Sequence, residues 1–102
     1  MTDYMALSVP QTLADCERAQ ELLRFWIGDG EDYVSLRVGV LGDKEPEQWG
    51  SILADLARHI INAVHQDQPN LPAEDILRRI QDGFEQRMDM KPSIAGSLEF
   101  PN

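Results

Sequence analysis

Five polar residues between positions 55 and 65 have types and spacing suited to chemistry. Asp55, Arg58, His59 and Asn62 lie three or four residues apart, so a helix sets them on one face, and His65 follows. A carboxylate beside an imidazole can act as a general acid and base, or the pair can ligate zinc or iron. The helical wheel weighs against a metal, because His59 and His65 stand about 120° apart and do not reach one ion from the same helix. The structural alternative makes His59 a partly buried histidine at the edge of an apolar arc, oriented by Asp55. On that reading the four form a polar cluster rather than a set of catalytic residues, and neither metal nor cofactor is expected. The chain has no Gly-rich phosphate loop with its lysine, no paired-cysteine zinc pattern and no nucleophile elbow. Cys16 is the single cysteine and has no nucleophile signature around it, so it reads as incidental.

The elements that must position these residues follow from the apolar pattern. Pro46 suits the first turn of a helix, and a helical period runs from about Pro46 to Gln66. Its apolar residues, Trp49 and Ile52 through Val64, fill an arc of roughly 200°, wide enough to need more than one neighbour. The linker 67–72 carries two prolines and leads to a second helix ending near Met88, with Glu74 and Asp75 at the positive end of its dipole. Its stripe of Ile76, Leu77, Ile80, Phe84 and Met88 is narrower, about 120°.

Upstream, two segments rich in aromatic and β-branched residues, Glu21 to Ile27 and Tyr33 to Val38, flank Gly28-Asp29-Gly30-Glu31-Asp32 and read as a hairpin. A competing reading continues a helix from Thr12 towards Gly28. In the hairpin, pairing Ile27 with Asp32 places Leu23, Phe25 and Ile27 on one face with Val34 and Leu36. Sliding the register by two residues would oppose Arg24 and Arg37, like charges that repel when paired. The first register predicts a four-residue loop, Gly28 to Glu31. The opposite face carries Leu22, Arg24, Trp26, Tyr33, Ser35 and Arg37, whose Trp, Tyr and Arg are the types enriched at interface hot spots. The alternative is that the N-terminal arm or the tail covers this face. A short strand is expected near residues 97–100.

The strings Glu21-Leu22-Leu23-Arg24-Phe25-Trp26-Ile27, Tyr33-Val34-Ser35-Leu36-Arg37 and Trp49 through His59 resemble a family of small bacterial domains of unknown function. The resemblance spans about residues 20–88. It implies a hairpin followed by helices and a bacterial cytosolic setting, and it brings no activity.

Eighteen acidic against nine basic residues among 102 give a net charge of −9, which repels phosphate backbones and anionic membranes. Neither nucleic acid nor membrane is an expected partner, and the absence of a secretory start points to the cytoplasm. The expected fold is α+β, an antiparallel β-hairpin packed against two α-helices and extended by dimerisation. Residues 1–19 are expected to form an arm with room for a short helix, 20–88 the single α+β domain and 89–102 a tail. The expected function is a non-enzymatic homodimer that binds a second copy of itself and another protein. The rivals are a small-molecule- or metal-dependent enzyme using Asp55, Arg58 and His59, and a small acidic adaptor or chaperone.

Overall fold

The computed structural model describes residues 4–89 and the strand 96–99. A short 3₁₀ turn, Gln11–Asp15, is followed by extended backbone at Cys16, so no helix runs from Thr12 into the hairpin. Strands β1, Leu23–Gly28, and β2, Glu31–Leu36, pair antiparallel in the expected register, with Phe25 opposite Val34, Trp26 opposite Tyr33 and Ile27 opposite Asp32. The loop is tighter than expected. Gly28 and Glu31 still pair, leaving only Asp29 and Gly30 in the turn, with φ of 51° and 82°. Those angles define a type I′ turn, whose twist matches that of the strands and which Asp-Gly favours.

Strand β3, Gly96–Glu99, lies parallel to β2 and gives the sheet order β1-β2-β3. The third strand takes the hairpin past the marginal stability of a two-stranded unit. It also closes the β2 edge and leaves β1 as the other edge of the sheet.

Helix α1, Glu45–Asp67, begins with Pro46 and two acids, Glu45 and Glu47, in its first turn. Helix α2, Ala73–Asp89, begins with Glu74 and Asp75. Both starts place carboxylates against the positive end of the helix dipole. The connection is held by the Leu71 amide donating to Gln68 O at 3.0 Å and by His65 Nδ1 at 2.8 Å from Leu71 O. A carbonyl only accepts, so the proton of that second bond sits on Nδ1.

The class and its elements, a hairpin and two helices, are therefore as expected, but their packing within one chain is not. The helices pack on each other and the strands on each other, whereas no sheet–helix packing occurs among the described elements. The physical consequence is a missing core: Ile76, 4 % exposed, is the one buried hydrophobic residue among those described. The chain exposes 9427 Å², where a compact monomer of 11.6 kDa exposes about 5,800 Å². Its radius of gyration is 15.9 Å, against about 13 Å for a compact domain of this length.

Candidate functional site

Asp55, Arg58, His59 and Asn62 share the outer side of α1, and all four are exposed. No hydrogen bond or ion pair links them, so the expected Asp55–His59 contact is not formed and His59 is not partly buried in the isolated chain. Among the described residues there is no group of three or more His, Cys, Asp and Glu placed to hold a metal ion. Sequence reasoning missed His65 as a structural residue. The signal lay in its place in the last turn of α1, within reach of the carbonyls of the linker that follows.

The sheet carries two different faces. On one, Arg24 lies opposite Ser35 and Trp26 opposite Tyr33, and the Arg37 amide donates to Leu22 O at 2.8 Å. Glu21 organises this side: its carboxylate accepts from Arg24 Nε at 2.7 Å and its carbonyl accepts from Arg37 Nε at 3.0 Å. Tyr33 donates its hydroxyl to Glu31 at 3.2 Å. That hydrogen bond, with the nearby negative charge of the same carboxylate, raises the phenol above its ordinary 10.0. Tyr4 from the N-terminal arm sets its ring edge-on to Trp26, with centroids 5.8 Å apart and planes at 73°. The arm thus contributes one aromatic contact to this face and leaves Arg24 and Tyr33 exposed. Leu22, Arg24, Trp26, Tyr33, Ser35 and Arg37 lie side by side along the paired strands, with several of their polar groups already engaged inside the chain.

The other face, expected to be the core, is the barer one. Phe25 is 58 % and Ile27 76 % exposed, beside half-buried Leu23, Val34 and Leu36. The helices show the same pattern. With residues 100° apart, Leu53, Leu56 and Ile60 occupy the middle of the α1 arc, within about 60° of one another. All three are exposed, while Ala57, Ile61 and Val64 on one flank are half-covered. Phe84 and Met88 continue the bare surface on α2. The arm adds Met5 and Leu7, 92 % and 98 % exposed, where it borders a cavity of about 530 Å³ along β1 with Leu23 and Phe25 in its wall. What the arrangement offers chemically is apolar surface rather than a set of converging polar groups.

The family model described as "Domain of unknown function (DUF5076)" matches residues 6–92. The chain belongs to that family. No curated protein matches this DUF5076 chain. Among solved structures it is similar to a protein of the photosynthetic bacterium Rhodopseudomonas palustrus that is provisionally named a pyruvate dehydrogenase. The two are 25 % identical with a TM-score of 0.71, over 93 % of each chain. No helix among the described residues is long and apolar enough to cross a membrane.

Proposed function

We propose that this DUF5076 chain is a self-associating protein-interaction module whose hydrophobic core is completed by a second copy. The observation that carries this reading is the single buried apolar residue, Ile76, in a chain with two regular apolar faces. Isolated soluble domains do not leave such faces bare, since contiguous apolar patches beyond a few hundred Å² mark interaction sites. The total surplus over a compact monomer, polar and apolar surface together, is about 3,600 Å² by area scaling, against the roughly 800 Å² that a standard interface covers on each partner. A net charge of −9 keeps the outer surface soluble and excludes phosphate backbones from the bare faces.

The face holding Arg24, Trp26 and Tyr33 is the second surface of the module, suited to a further protein partner by its residue types. Sedimentation equilibrium at micromolar concentration tests the central claim. A species of twice 11.6 kDa is expected; a lone single-chain species at all concentrations refutes it.

A further inference from the structure

We propose that the two copies exchange layers: the α1–α2 pair of each chain lies on the Leu23, Phe25 and Ile27 face of its partner's sheet. This rests on the self-association reading above and specifies its geometry. A sheet face and a helix stripe are the two halves of a standard layered core, each needing the other for cover. Here one chain carries both halves, Phe25 and Ile27 on the sheet and Leu53, Leu56 and Ile60 on α1, and does not bring them together.

The segment between them, residues 37–44, is built rather than loose. Gly39 and Gly42 take φ of 88° and 89°, a region that glycine enters at no steric cost and other residues seldom adopt. The Glu45 carboxylate accepts the Gly39 amide at 2.8 and 3.1 Å and the Leu41 amide at 3.1 Å. This clasp at the start of α1 sets the direction in which the helices leave the sheet. With the direction set away from the chain's own sheet, a second copy offers the complementary face, and reciprocal exchange closes both cores with one symmetric operation.

The size of the bare surface favours exchange over edge pairing. Joining two β1 edges would cover a strip one strand long and leave Leu53, Leu56, Ile60 and Phe84 in water. Layer exchange covers both faces of both chains, in keeping with the 2,000–5,000 Å² or more of obligate, core-like interfaces.

Disulfide trapping distinguishes the arrangements. In a Cys16→Ser background, the full chain carrying both Ile27→Cys and Ile60→Cys is oxidised and separated without reductant, with Phe25→Cys and Leu56→Cys as a second pair. Exchange predicts linked chains at twice 11.6 kDa for at least one pair. It also predicts linkage between separately tagged chains that carry only the sheet or only the helix cysteine. Linkage within one chain, running at single-chain mass, overturns the exchange because the helices then close on their own sheet. Sheet-to-sheet linkage of the Ile27→Cys chain alone, or no linkage at either pair in a chain that sediments as a dimer, overturns it as well. A chain that sediments as a monomer overturns the self-association reading beneath it, so the two failures are told apart.

Discussion

Ile27→Ala tests whether the bare sheet face is buried by the proposed association. The substitution removes three carbon atoms, worth about 0.8 kcal/mol each when fully buried. Ile27 is 76 % exposed in the isolated chain, so about three-quarters of that value, roughly 1.8 kcal/mol, is gained only on association. A symmetric pair contains the position twice, which gives about 3.6 kcal/mol, or a dissociation constant raised roughly 400-fold. Sedimentation equilibrium across a dilution series reads the dissociation constant. Circular dichroism at the same concentrations checks that secondary structure is unchanged. A dissociation constant within about threefold of the unsubstituted chain, against the tenfold expected for each 1.4 kcal/mol, would show that this face stays in water and would refute the reasoning.

Four other outcomes are expected. Glu45→Ala removes the acceptor of the Gly39 and Leu41 amides and should speed hydrogen exchange at both, with a stability loss of about 1 kcal/mol in chemical denaturation. His65→Ala frees the Leu71 carbonyl and should cost about 1 kcal/mol, read as a lower midpoint in thermal unfolding. Glu31→Ala removes the hydrogen-bond acceptor and the charge that together hold the Tyr33 phenol above 10.0, so ultraviolet titration should show its ionisation moving down in pH. The sign follows from linkage: a raised phenol pKa adds stability below pH 10 that is lost as pH rises through the folded value, and the variant lacks that contribution. Two chains of charge −9 repel, so added salt should tighten self-association by screening, measured as a falling dissociation constant; weakening by salt would indicate charge pairing in place of apolar contact.

Much of the local structure was legible from residue order because it depends on short-range rules. The period-two pattern of Leu23, Phe25 and Ile27, with the penalty on opposing Arg24 and Arg37, selected one register, and that register is present. The helices were legible from their period, with Glu45–Asp67 and Ala73–Asp89 lying within a residue or two of the expected limits. The turn was missed by one pair, since Asp29 accepts a positive φ that the four-residue loop did not require of it. The Asp55–His59 pair was over-read, because spacing places two side chains on one face without obliging them to meet.

Which residues are apolar, which face they share and which neighbours they pair with were properties of the sequence alone, because strand and helix periods act over a few residues. Tertiary structure decided that those faces stay uncovered within one chain. The Glu45 clasp, the Gly39 and Gly42 backbone and the setting of Tyr4 on Trp26 join residues whose meeting no periodicity encodes. The helices and the sheet of one chain do not pack on each other, because an amphipathic pattern specifies that a surface must be buried and carries no term for what buries it.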